Sequence, residues 1–258
     1  YLGDYPMFLP GGKEQIAGEY QPGWMLLSYG KKVSVSSSLE GYPAENIVDE
    51  DARTAWVAQS NRDMEWAQVD LQRLSSIHAI QVNFDEYGAN QKGAVSGVYQ
   101  SYLIYASVNG EDWSLVVDYG TKKTDTPHDY IEFEEPFKAR YIKLQNKEYM
   151  VSENFSVRDL RIFGKGQGST PRAVNDFTVE RDEADPCKAR LCWEAVPDAQ
   201  GYIVRYGIAG DKLYNNFQVM GENTLEIGSL NKGVAYYFTI DAYNENGITR
   251  TSRIKVCR

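Results

Sequence analysis

Between residues 28 and 165 the chain never sustains about ten residues of helical period. Its apolar residues recur instead at every second position, in short runs separated by turn signals. Lys32-Val-Ser-Val-Ser-Ser-Ser38 alternates in this way, and so does Ile80-Gln-Val-Asn-Phe84. A period of two sets one face of a strand against a core and the other against solvent. Tyr102 to Val108 and Trp113 to Val117 flank Asn109-Gly110-Glu111-Asp112, and Asn-Gly is a strong signal for a tight hairpin turn. Arg140-Tyr-Ile-Lys-Leu144 and Val157 to Phe163 close the segment. Strands this short and this frequent predict an all-β sandwich or jelly roll.

Residues 172–258 repeat the pattern with another spacing. Ala189, Leu191 and Trp193 alternate, as do Tyr202, Val204 and Tyr206, and then Tyr236, Phe238, Ile240 and Ala242 ahead of an Asn246-Gly247 turn. About seven short strands in such a length suit a two-sheet sandwich. Gly164-Lys-Gly-Gln-Gly-Ser-Thr-Pro171 separates the two segments, and without a P-loop Lys-Ser/Thr it is a linker rather than a phosphate cradle. Residues 1–27, punctuated by Pro6, Pro10, Gly11, Gly12, Pro22 and Gly23, lack a sustained period and suit an extended connector from a missing upstream domain. The expected organisation is connector 1–27, jelly roll 28–165, linker 166–171 and sandwich 172–258.

Composition removes several functions. The formal charge is −9, from 27 basic and 36 acidic residues, which opposes a phosphate-tracking nucleic-acid binder and a protein docked on anionic lipid. No apolar run approaches the roughly 20 residues of a membrane span, so no membrane insertion is expected. Only His78 and His128 are available for a histidine metal centre or a Ser-His-Asp triad. Cys187, Cys192 and Cys257 make no zinc pattern. Gly93-Ala-Val-Ser-Gly97 is off register for a nucleophile elbow, and no Asp/Glu pair stands in a glycosidase context. No catalytic residue is assigned. Nineteen Tyr, five Trp and nine Phe favour pleated and recognition surfaces.

Five blocks carry a family resemblance. They are Ser36-Ser-Ser-Leu-Glu-Gly-Tyr-Pro-Ala-Glu-Asn-Ile-Val-Asp-Glu-Asp-Ala-Arg-Thr-Ala-Trp56, Trp66-Ala-Gln-Val-Asp-Leu71, Tyr105-Ala-Ser-Val-Asn-Gly-Glu-Asp-Trp113, Ala139-Arg-Tyr-Ile-Lys-Leu144 and Val157-Arg-Asp-Leu-Arg-Ile-Phe-Gly164. In this order they resemble the discoidin, or coagulation-factor C-type, domain, whose bacterial members include family 32 carbohydrate-binding modules. The resemblance implies a jelly roll with ligand loops at one end. Trp193, Gly201-Tyr-Ile-Val-Arg-Tyr206 and Leu230-Asn-Lys-Gly-Val-Ala-Tyr236 resemble a fibronectin type III domain, with Tyr236 as its tyrosine corner. Gly3-Asp-Tyr-Pro6 and Gly23-Trp-Met-Leu-Leu-Ser-Tyr29 resemble the stretch that joins a family 43 glycoside hydrolase propeller to a discoidin module in gut-bacterial enzymes.

These resemblances imply a non-catalytic accessory region of a xylosidase- or arabinosidase-like enzyme, secreted, periplasmic or on the cell surface. Its partners would be a polysaccharide or oligosaccharide and the upstream hydrolase domain. The alternatives are a structural spacer without sugar binding and an adhesion module.

Carbohydrate-binding discoidin modules often hold a calcium ion by an Asp, a Thr, loop carbonyls and a late acidic residue. Asp49, Thr54 and Asp159 match, with carbonyls from Ile47 and Asp51, although the family usually has Glu where Asp159 stands. The other reading of these acids is a turn capped by Asx side chains. Sugars are held by aromatic faces and planar polar groups, and the loops offer Asn61, Arg62, Asp63, Tyr87, Asn90, Gln91, Tyr99, Tyr149, Asn154 and Phe155. Tyr99 is the expected stacking ring and Arg62 the expected hydroxyl partner. Trp56, Trp66 and Trp113, inside the family blocks, are assigned to the core. The fibronectin resemblance sets Cys187, before the second strand, and Cys257, ending the seventh, at one pole, which implies either a Cys187–Cys257 disulfide or three free thiols. Cys192, out of phase with Leu191 and Trp193, points from the core.

Overall fold

The computed structural model describes residues 8–10, 22–89 and 97–258. The motif at Gly3–Pro6, most of the expected connector, and Asn90, Gln91 and residues 93–96 lie outside them. The chain divides into two compact units, Tyr1–Gln167 and Gly168–Arg258. Among the described residues no helix is long and apolar enough to cross a membrane.

The first unit is one antiparallel sheet that doubles over its own core. Its strands are β1 (Phe8–Pro10), β2 (Pro22–Leu26), β3 (Lys32–Val35), β4 (Trp56–Val57), β5 (Trp66–Phe84), β6 (Gln100–Ser107), β7 (Ser114–Tyr119), β8 (His128–Tyr149) and β9 (Ser156–Lys165). They run in the order β1-β2-β9-β5-β8-β6-β7, with β3 on β5 and β4 on β9. The blocks at Trp66–Leu71 and Ile80–Phe84 belong to one 19-residue strand. Its register slips between Asp70 and Ser75, where Gln72 takes φ 66° and its N–H is held by Asp70 Oδ1 at 2.7 Å. That bulge bends the strand, so its first half pairs with β3 and its second with β9.

Trp56 anchors the core. Fully buried, it meets Phe155 edge-on at 5.8 Å and donates its indole N–H to Ser37 O at 3.0 Å. Truncating such a ring costs about 3–5 kcal/mol.

Two expectations need correction here. Trp66 and Trp113 are half-buried on the outer face rather than in the core; Trp66 shares its side of β5 with Gln68 and Asp70, while Ala67, Val69 and Leu71 point inward. The end of the expected connector is also part of the first unit. Met25 and Leu26 of β2 pair with Gly164 and Phe163 of β9, and both are buried.

The second unit stacks β10 (Phe177–Arg181), β11 (Ala189–Trp193) and β14 (Thr224–Ile227) on a second sheet. That sheet holds β12 (Gly201–Gly207), β13 (Asn215–Met220), β15 (Tyr236–Asn244), β16 (Gly247–Thr249) and β17 (Lys255–Cys257). Leu191, Val204, Phe238 and Ile240 are fully buried between the sheets. Tyr236 Oη accepts the Asn231 N–H at 3.2 Å, the backward bond expected of it.

The Cys187–Cys257 disulfide is absent: both thiols are free, Cys187 exposed and Cys257 buried. Arg181 stands beside Cys257 at that pole. Its guanidinium donates to the Pro186, Asn231 and Val234 carbonyls at 2.5, 3.3 and 2.6 Å and also bonds the Cys257 sulfur. The pole expected to hold a bridge holds an arginine clamp instead.

Candidate functional site

A 3-10 turn, Ala44–Val48, buries Ile47 and Val48 and delivers the chain into an acidic loop. Asp49 closes that loop on itself. Its Oδ1 accepts the Asp51 N–H at 2.9 Å and its Oδ2 accepts the Thr54 hydroxyl at 2.8 Å. Thr54 Oγ1 also lies 3.0 Å from the Asp51 carbonyl. The Asp51 carboxylate turns away to Arg53, at 3.0 Å to both Nε and Nη2, so Asp51 can offer the loop only its carbonyl.

Asp159, on β9, is fully buried. Its Oδ2 accepts Asn83 Nδ2 at 2.9 Å, whereas its Oδ1 has no hydrogen-bond partner. Burial raises its pKa, and the Asp49 charge raises it further.

Glu50 was not anticipated, although it stands between Asp49 and Asp51 in the sequence. With φ 60° it folds inward to the buried Arg161, which reaches Oε1 at 3.1 Å and Oε2 at 3.0 Å. Burial pushes its carboxyl up to about 7 against the pull of Arg161, and Asp159 and Asp49 add to the rise. Glu50 and Asp49 also raise the nearby Tyr29, after burial. Three acids therefore share one electrostatic neighbourhood. Among the described residues no three His, Cys, Asp or Glu side chains converge to hold a metal by themselves. The available donors are instead two carboxylates, a hydroxyl and carbonyls, an all-oxygen set with the chemistry of a hard cation. The unpartnered Asp159 Oδ1 is the atom that fits one.

At the loop end the structure brings residues 58–65, 85–89 and 148–155 together. Asn146, buried, donates its amide to the carbonyls of Asn61 and Arg62 at 2.8 and 2.9 Å. Asn61 Nδ2 donates to Ser152 O at 2.8 Å, and Asn154 Nδ2 to Ala58 O at 2.9 Å. Asn61 and Asn154 are thus staples between loops. Tyr149 is a core residue, only 2% exposed, edge-on to the buried Phe155 at 5.3 Å. Its hydroxyl bonds Asp85 O and contacts Ser156 Oγ at 3.2 Å, and burial raises its pKa. This corrects its assignment to sugar contact, because neither ring face is open.

Arg62 remains exposed. Asp63 is paired with Lys147 at 2.6 Å. Tyr99, half-buried, donates to Glu148 Oε2 at 2.6 Å while the Lys123 ammonium lies 5.3 Å from its ring centre. Tyr87 packs edge-on to Tyr42 at 4.9 Å. Met64 and Met150, 62% and 45% exposed, complete the rim. No simple period marks these two methionines in the sequence. Among the described residues the arrangement is a braced platform with the exposed Arg62 guanidinium and two part-exposed phenol rings, suited to polar-plus-stacking recognition.

Comparison with known proteins places the first unit. The F5/8 type C domain family matches residues 32–159. Rat lactadherin is 33% identical over 110 residues, which is 40% of this chain and 25% of that protein. Mouse lactadherin is 32% identical over 110 residues, 40% of this chain and 23% of its own length. The chain thus spans about a quarter of the length of these curated relatives. Among solved structures, chitosan-binding module 1 of a Paenibacillus sp. IK-5 chitosanase/glucanase has a TM-score of 0.46 at 20% identity, covering 54% of this chain and 98% of that one. The family 32 CBM of Clostridium perfringens NanJ, in complex with galactose, has a TM-score of 0.44 at 18% identity, with 54% and 98% covered. Residues 32–159 are an F5/8 type C, or discoidin, domain.

Proposed function

We propose that this chain is a non-catalytic accessory region that binds carbohydrate through the loop end of its discoidin domain. The observation that carries this reading is the bracing of that end. Asn146, Asn61, Asn154 and Tyr149 lock three loops together from beneath, which holds Arg62, Tyr99 and Tyr87 in place before a ligand arrives. Sugars bind weakly per contact, so a site that need not be ordered on binding gains affinity.

The cation loop would act on stability. Asp49, Asp159, the Thr54 hydroxyl and the carbonyls of Ile47 and Asp51 would hold a calcium ion, whose charge would tie the acidic loop to β9. We place the chain outside the cytoplasm, downstream of a glycoside hydrolase domain, with a fibronectin-like second unit.

Titration with neutral plant cell-wall oligosaccharides tests the reading. Binding at millimolar strength, about −4 kcal/mol, should be lost in Arg62→Ala and weakened in Tyr99→Ala. The pure chain should release nothing from nitrophenyl glycosides. Absence of any affinity at millimolar sugar would leave the first unit as a spacer.

A further inference from the structure

Across the middle of the first unit one row of side chains crosses five strands. Ser34 pairs with Gln68, Gln68 with Lys143, Lys143 with Tyr105, and Tyr105 with Leu115. Partners across a sheet point to the same side. Here it is the side away from the core, because the adjoining Val69, Ile142, Leu144 and Ile104 are buried. Trp66 opposite Gln145 flanks the row on one side, and Asp70 opposite Tyr141 on the other.

The hairpin between β6 and β7 folds onto this face. Gly110, at φ 81°, sits so close that a Cβ there would touch the Tyr141 ring at 3.4 Å. Trp113 meets Tyr141 at 6.5 Å and lies 4.1 Å from the Lys143 ammonium, which is 5.2 Å from the Tyr105 ring centre. Two half-buried rings, Tyr105 and Trp113, therefore flank one cation on an outward surface, with the half-buried Tyr141 and Trp66 on the same face.

Lys143 differs from the charges around it. Asp70 is held by Arg140 in a two-pronged pair at 2.8 and 2.9 Å. Asp118, opposite Leu103 at the sheet edge, accepts the Gly120 N–H at 3.1 Å. Among the described residues Lys143 meets the faces of Tyr105 and Trp113 and no carboxylate is paired with it. Burial pulls its pKa below the ordinary lysine range. A partly dehydrated ammonium between rings is complementary to an anion that also has an apolar face.

We propose that this outer sheet face is a second binding site, for an oligosaccharide of uronic acids. Sugar rings lie with their C–H faces on Trp66, Tyr105 and Trp113. A carboxylate pairs with Lys143, and Gln68 meets a hydroxyl. From Gln68 to Tyr105 the row spans two strand spacings, roughly 10 Å, enough for more than one sugar ring. None of the loop-end residues takes part, so this site stands or falls independently of the one proposed above.

The test is titration of the full chain with trigalacturonate and with its fully methyl-esterified counterpart, followed by calorimetry and tryptophan fluorescence. The free acid should bind and change the fluorescence, and the ester should bind at least about tenfold more weakly, the size of one charge-assisted hydrogen bond. Added salt should weaken the acid's binding. Lys143→Gln should lose about tenfold or more, and Lys143→Arg, which keeps the charge, should retain binding. Three results overturn the proposal: no response to the free acid at millimolar concentration, equal affinity for acid and ester, or loss of acid binding in Arg62→Ala but not in Lys143→Gln. The first two would leave the Lys143 cluster a purely structural cation–π contact.

Discussion

Removal of calcium should lower the melting temperature of the first unit, and Asp159→Asn should blunt that response. Asp159 is buried with one carboxylate oxygen unpartnered, and Asp49 and Glu50 lie within electrostatic reach. Without an ion these acids repel one another inside the fold. An ion that binds only the native state at a hundred times its dissociation constant adds about 2.7 kcal/mol. For a unit of this size each kcal/mol moves the melt by about 2–4 °C, so chelation should lower it by roughly 5–10 °C. In chelator, Asp159→Asn removes a buried charge and should melt at or above the wild type. In calcium it loses a ligand and should melt below it.

The pH dependence follows with a definite sign. Glu50 is raised from 4.5 to about 7 in the fold, so the fold favours its protonated form. Stability present below about 4.5 is then lost as pH rises through about 7. That gap corresponds to on the order of 3 kcal/mol. Ligand carboxylates must be ionised to hold a metal, so calcium should restore most stability at the upper end of that range. Calorimetric melts with and without chelator across the range measure both effects. Superimposable melts in calcium and chelator, or an Asp159→Asn variant equally destabilised in both, would refute the reasoning.

The bracing of the loop end predicts that Asn146→Ala, which strips the Asn61 and Arg62 carbonyls of their donor, costs about 1–3 kcal/mol. It should lower the first unit's melt and weaken neutral-sugar binding together; an unchanged melt would show that the staple carries no stability. The arginine clamp predicts that unreduced, denatured protein yields three alkylatable thiols. In the folded protein Cys187 should react first, because Cys257 is buried and burial raises its thiol pKa. Peptide mapping that recovers a disulfide would overturn this.

What the sequence conveyed and what it concealed have separate physical causes. Alternation identified the strands because each buries one face. The same alternation also puts Trp66 on the side of Gln68 and Asp70, so its outward position was readable; membership in a family block argued against a pattern that was correct. Tyr149 misled for another reason. The register slips between Ser101 and Tyr102, which puts Gln100 opposite Tyr149 and Tyr102 opposite Asn146. With one slip, both Asn146 and Tyr149 are buried at the end of β8, although they are three residues apart and local period would set them on opposite faces. A bulge leaves no local mark, so a loop assignment that depends on phase fails beyond it. Arg161 shows the converse. A guanidinium within Leu160-Arg-Ile-Phe163, where every neighbour is buried, cannot remain uncompensated. The run therefore demands an acid somewhere in the chain. The acid is Glu50, 111 residues away, turned inward by a positive φ beside the loop already suspected of binding a cation. The need was local and visible, whereas its partner was fixed by the packing of the acidic loop against β9.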